Sequence, residues 1–332
     1  MNKPGLVFKN LIQPAAFLLL AFLLWYLLTQ KAELPLAWEH FWSERHSRAH
    51  ELLALALLLM PLNWLAESEK WRGLLLPYYH FGRFQSIKAV CAGVYLSLFT
   101  PNRIGEYGGR VLFLPAEHRW KSVFATLAGT LAQWIYILSL GLVGMAKHLR
   151  HIQSIDDTLY LGMLVLAAAT ALILSWAYFN MKSWTGLTRK LPFQHYIKRF
   201  VKEIEVLSRF SIRDLRKTLA WAGLRFVIYA TQYVLVLYYF KLDIPVFEAF
   251  YGVFALFLVQ TSIPLPPISG LLARGNLALI IWGSYGLDPI SCLSASFLLW
   301  IINLILPSLF GILVLKSVPE RFFIQKRNDA NT

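Results

Sequence analysis

The chain of 332 residues is 57% hydrophobic and only 15% charged, and its 32 Lys and Arg outnumber its 18 Asp and Glu. A mean hydropathy of +0.52 excludes an ordinary soluble domain and points to an all-α polytopic membrane protein. The two cysteines, Cys91 and Cys292, lie far apart in apolar segments and suggest neither a disulfide framework nor a metal site.

In chain order, the first apolar run follows Lys3 and Lys9 and has no convincing small-x-small cleavage site after it, so it reads as an uncleaved anchor. Six full spans are expected, at about 11–29, 51–67, 122–146, 158–180, 218–240 and 290–316. No strand alternation of the membrane-barrel kind is visible, so helices must satisfy the backbone in lipid. Two further apolar segments, 86–114 and 249–283, are interrupted by helix breakers. The first contains Pro101, Gly105, Gly108 and Gly109, and the second Pro264, Pro266, Pro267 and Gly270.

Loop charges assign the topology, because Lys and Arg are retained on the cytoplasmic side. Residues 1–10, 66–88, 115–122, 181–217 and 315–332 hold 22 Lys/Arg against 8 Asp/Glu, whereas 30–51, 146–158, 241–248 and 284–290 hold 6 against 9. This alternation requires 86–114 to enter and leave on the cytoplasmic side and 249–283 to do so on the outside. The expected fold is an inverted-repeat helical bundle, with six full spans plus two broken or re-entrant helical hairpins. Ten short spans with the same loop sides are the alternative, and the inversion holds in either case. Residues 1–180 make the first inverted half, except that span 158–180 belongs to the second repeat. A basic cytoplasmic loop follows at 181–217, then the remainder of the second half at 218–316 and a cytoplasmic tail at 317–332. Both termini are expected to be cytoplasmic, in a bacterial plasma (inner) membrane.

The basic loop carries Phe193, Ile197, Phe200, Val201, Ile204, Leu207 and Phe210 at helical spacing among Lys198, Arg199, Lys202 and Arg209. Residues 193–210 are read as an interfacial helix on an anionic cytoplasmic leaflet, or as a linker helix packed on the membrane domain. Cytoplasmic loops account for the basic balance, and no nucleic-acid partner is expected.

The stretch "LFTPNRIGEYGGRVLFL", Leu98 to Leu114, places Arg103, Glu106 and Arg110 within an apolar run. A charge near mid-membrane costs at least a few kcal/mol, so it needs a partner, a wet cavity or a substrate. On a helix Glu106 reaches either arginine, at spacings of three and four, which supports an internal ion-pair cluster. Two arginines against one glutamate nevertheless leave a positive charge uncompensated, beside Asn102 and a restarted helix N-terminus, and such a tip suits an anion. The three glycines allow close helix packing or close approach of a head group. The second break, "TSIPLPPISGLLARGNLAL", carries Arg274 and Asn276 about one turn after Gly270. If the two tips meet, Arg103 and Arg274 flank one site, and Arg225 either completes it or snorkels. Gln133, Gln232, Gln260 and Asn303 are expected to bond between helices. His40, His46 and His50 match no metal motif, and no cofactor is expected.

The pattern Pro101-x-Arg103-x-Gly105-Glu106 with Arg110, and a proline-rich break about 160 residues later, resembles the flippase-like family typified by the transmembrane portion of lysylphosphatidylglycerol synthase. The second break departs from that family's Arg-Glu ending, since Arg274 is followed by Gly275 and Asn276. The resemblance implies transport of a lipid or lipid-linked head group rather than its synthesis. Binding of a phosphate-bearing head group by Arg103, Glu106, Arg110, Arg274, Asn102, Asn276 and Arg225 is the expectation. A membrane enzyme acting on a lipid carrier, with Glu106 as its base, and a non-transporting scaffold are the competing readings.

Overall fold

A computed structural model describes residues 47–183, 205–263 and 270–316. The first expected span, most of the basic loop, Pro264, Pro266, Pro267 and the tail lie outside these residues. The described residues are helical throughout: α1 Ser47–Leu75, α2 Arg83–Ser97, α3 Gly105–Val111, α4 Arg119–His151, α5 Asp157–Phe179, α6 Ile212–Tyr239, α7 Val246–Ser262, α8 Gly270–Gly283, α9 Pro289–Trp300 and α10 Leu306–Lys316. A π-helical turn, Ile301–Ile305, joins α9 to α10.

Five helical stretches are long and apolar enough to cross a membrane: His50–Leu75, Ala116–His151, Asp157–Phe179, Ile212–Tyr239 and Pro289–Leu315. They correspond to the five expected spans within the described residues. Short polar residues start several of them. The Asp156 carboxylate accepts the Leu159 N–H at 2.8 Å, and Asp288 accepts that of Ser291 at 2.8 Å ahead of Pro289. At α6, Ser211 and Asp214 form a reciprocal capping box.

α2 has 15 residues, α3 has 7, α7 has 17 and α8 has 14. At 1.5 Å per residue the longest of these reaches only about 26 Å, short of a hydrocarbon core of about 30 Å. A 3₁₀ turn, Pro101–Arg103, joins α2 to α3.

Between helices that are not consecutive in the chain, packing follows three main pairings. α1 lies along α6, α4 along α7, and α10 along α2. Small residues permit the last two. A Cβ at Gly144 of α4 would collide with the Tyr251 carbonyl on α7, and one at Gly311 of α10 would collide with the Cys91 carbonyl on α2. α5 packs mainly on α4 and leaves Leu161, Leu172, Ile173 and Trp176 exposed, as a lipid-facing helix does.

Polar side chains tie helices together inside this apolar packing. Gln232 of α6 donates to the Ala56 carbonyl of α1 at 2.8 Å, and Asn63 of α1 donates to Asn303 of the π-helical turn at 2.8 Å. Both fit the expected role of bonding between helices. The end of the basic loop is a 3₁₀ turn, Glu205–Arg209, whose Val206 and Leu207 are buried together with Phe210. Tyr78 donates to the Val206 carbonyl at 3.1 Å and meets Phe210 edge-on. At this end, therefore, the loop packs on the helical domain.

α1 differs from the sequence expectation in its length. The span expected to close near residue 67 continues to Leu75, so Glu67 and Lys70, counted above with a cytoplasmic loop, are buried helical residues. The apolar face continues through Trp64, Trp71, Leu74 and Leu75, all of which enter the core. That face holds the helix in place beyond the first acidic residue.

Candidate functional site: a buried charge network at the first hairpin

The hairpin tip brings three local charges together, and α1 and α6 add three more. Glu106 on α3 meets Arg103 Nη2 at 2.5 Å and Arg110 Nη2 at 3.2 Å, so it bridges both arginines. Arg110 also reaches Glu67 of α1 at 2.8 Å. Glu67 in turn holds Lys70 at 2.6 Å and Arg225 of α6 at 2.9 Å. The result is a continuous line of ion pairs from Arg225 through Glu67, Arg110 and Glu106 to Arg103. Its middle is sealed, with Arg110 1% and Glu67 5% exposed, while Arg103 at its end is 37% exposed. Two indole rings cover the line. Arg225 lies 5.2 Å from the Trp64 ring centre and Arg110 lies 5.8 Å from that of Trp71.

Local geometry explains how the tip is held. Arg103 adopts φ 56°, the left-handed region that costs a non-glycine residue on the order of 1 kcal/mol or more. The Thr100 hydroxyl accepts the Gly105 N–H at 2.8 Å, and Ile104 and Tyr107 donate to carbonyls within the tip. The expected anion site on free N–H groups at this helix start is thereby largely used up, and guanidinium groups are the donors that remain. Close packing, one of the two expected roles of the glycines, holds for two of the three. A Cβ on Gly105 would strike the Leu96 carbonyl and one on Gly109 would strike Gly93, so these two pack the arms together. Gly108 faces open space.

At the second hairpin, Arg274 lines a cleft with Gln260, Ile263, Gly270, Ala273 and Leu277. The groups acting electrostatically on Arg274 include Arg103, Tyr229 and Tyr233, and no carboxylate is among them. Arg103 of the first hairpin is thus near enough to Arg274 to act on it electrostatically. Asn276 is partly buried on the same helix, and the Asn102 side chain lies outside the described residues. Arg225 does not snorkel: it turns inward to Glu67 with 17% of its side chain exposed.

Sequence reasoning missed Glu67, Lys70, Trp64 and Trp71. The signal was present in "NWLAESEKWRGLL", where Trp64, Glu67 and Trp71 recur at spacings of three and four on one helical face. Glu67 is thus a second carboxylate in the network beside Glu106. Among the described residues, no group of three His, Cys, Asp or Glu could hold a metal ion.

The apolar helices and the buried charge network define a polytopic integral membrane protein with a charged centre. Residues 13–311 match the model of the lysylphosphatidylglycerol synthase TM region, and the chain belongs to that family. Its membership is consistent with a role connected to membrane lipids. No curated protein and no solved structure matches the chain.

Proposed function

We propose that the protein is a lipid translocase that binds the phosphate of a head group between the two broken hairpins. The observation that carries this reading is the excess of cations at the buried network, with Arg103 at its accessible end and Arg274 in range without a carboxylate. Buried charge is normally neutralised, and a standing excess is costly unless a ligand anion supplies the balance. Arg103 presents a planar fork to phosphate oxygens, and Glu106 orients it. A left-handed backbone that holds this side chain at the tip is the kind of local strain found at ligand clamps.

The helix pairings support an inverted repeat. The pairing of α4 with α7 joins the last span of one half to a hairpin arm of the other, and the pairing of α10 with α2 repeats this with the halves exchanged. α1 and α6, which occupy equivalent positions, pair with each other. The short arms favour re-entrant hairpins over complete crossings. In this reading each hairpin opens toward one leaflet, and the head group passes between Arg103 and Arg274 as the halves exchange conformations. Both termini face the cytoplasm of a bacterial inner membrane.

Leaflet exchange in proteoliposomes containing fluorescent phospholipids tests this function. The wild type is expected to accelerate exchange, and a folded Arg103→Ala variant is expected to abolish it. Full exchange by that variant, or none by the wild type with any phospholipid, would remove the proposal.

A further inference from the structure

The charge balance of the site narrows the class of head group, on the condition that the translocase reading above holds. Four cations, Lys70, Arg103, Arg110 and Arg225, share two carboxylates, Glu67 and Glu106, which leaves two positive charges. Arg274 adds a third. Residues 11–29 and 264–269 contain no acidic residue. Trp64 and Trp71 stabilise Arg225 and Arg110 through their ring faces, which holds those cations without neutralising them. Among the described residues of the network, Nε of Arg103, Arg110 and Arg225 and the indole N–H of Trp64 and Trp71 have no acceptor, whereas the one acceptor without a hydrogen bond, Glu67 Oε2, is already held in ion pairs by Lys70 and Arg225.

We propose that the transported head group carries at least two negative charges, as a phosphomonoester or a diphosphate does. A singly charged phosphodiester leaves two of these three charges unbalanced where a dianion leaves one, and a zwitterionic or aminoacylated head group adds cations to a place already in excess. Such a dianion accepts several hydrogen bonds at once, which matches a site rich in guanidinium donors. The buried middle of the network acts as a fixed positive support, while Arg103 and Arg274 make the contacts.

The test uses the full chain in phosphatidylcholine nanodiscs, each doped with one lipid: phosphatidic acid, a polyprenyl diphosphate, phosphatidylglycerol, phosphatidylethanolamine or lysylphosphatidylglycerol. Bound lipid is counted by native mass spectrometry for the wild type, Arg103→Gln and Arg274→Gln. The expected result is a preference of about tenfold or more for the first two lipids, the order of effect of one added charge at a partly buried site. It should shrink in both variants while their melting temperatures stay near that of the wild type. Equal or tighter binding of phosphatidylglycerol, phosphatidylethanolamine or the lysyl lipid, still dependent on Arg103, overturns the charge inference and leaves the translocase reading standing. Lipid binding indifferent to both arginines overturns both. Inorganic pyrophosphate that binds the detergent-purified protein as tightly as the diphosphate lipid assigns the site to a soluble anion, against the lipid proposal.

Discussion

The two hairpins solve the same problem, a positive charge within an apolar layer, by different means. In the first, Arg103 and Arg110 are tied through Glu106 and Glu67 to α1 and α6, and the arms touch backbone to backbone at Gly93 and Gly109. In the second, Arg274 has tyrosines and no described carboxylate acting on it, and the arms meet where the Trp282 ring of α8 lies over Gly252 of α7. The first hairpin is thus anchored by charge and the second by apolar packing, with Trp282 buried against Tyr233. The difference teaches that a positive charge among apolar helices can be held either by buried carboxylates or by the packing of the helix that carries it.

This contrast is open to substitution. The largest effect is expected from Glu67→Leu, which strands Lys70 and Arg225 and leaves Arg110 with Glu106 alone. Removing one partner of a buried ion pair costs about 3–5 kcal/mol, so thermal unfolding in detergent should show a collapse of the melting temperature or no folded protein. Conjoint replacement of Glu67 and Arg225 by apolar residues should recover part of that loss, because fewer charges remain to be balanced.

The next effect separates a backbone contact between the arms of the first hairpin from a side-chain contact between the second hairpin and α9. Gly109→Val places side-chain atoms against the backbone of Gly93 and should cost about 1–3 kcal/mol or more. Gly275→Ala meets the side chains of Leu293 and Phe297 on α9 at 3.0 Å and 3.3 Å, both of which can shift by a rotamer change. Comparable losses of stability in the two variants would erase the distinction between backbone contact and side-chain contact.

Arg103→Gln removes one bridge to Glu106 at a partly exposed position, where an ion pair is worth about 1 kcal/mol or less. Its melting temperature should barely move, while leaflet exchange falls severely. The smallest effect on stability is expected for Arg274→Gln. No described carboxylate loses a partner there, so the fold should be unchanged or slightly firmer even as exchange slows. A clear loss of stability in Arg274→Gln would mean that this arginine is structural.

Much of the fold was legible because membrane helices are encoded locally. Runs of apolar residues lie in short windows of sequence, and lipid leaves the backbone few alternatives to helix. The bridge from Arg103 through Glu106 to Arg110 was legible for the same reason, since spacings of three and four fix neighbours on a helix. Glu67 and Lys70 were misjudged because charge was taken to mark the end of a span. Their apolar companions on the same face, Trp64, Trp71 and Leu74, carry the helix onward and bury the charges instead.

Sequence alone determined that this is a helical membrane protein with two interrupted apolar segments and an excess of arginine at the first. Tertiary structure decided which charges meet. Glu67 and Arg110 are 43 residues apart, and Arg225 comes from a different half of the chain. Their union depends on the rotation and register of α1 against α3 and α6, which close packing of side chains sets and no local window contains.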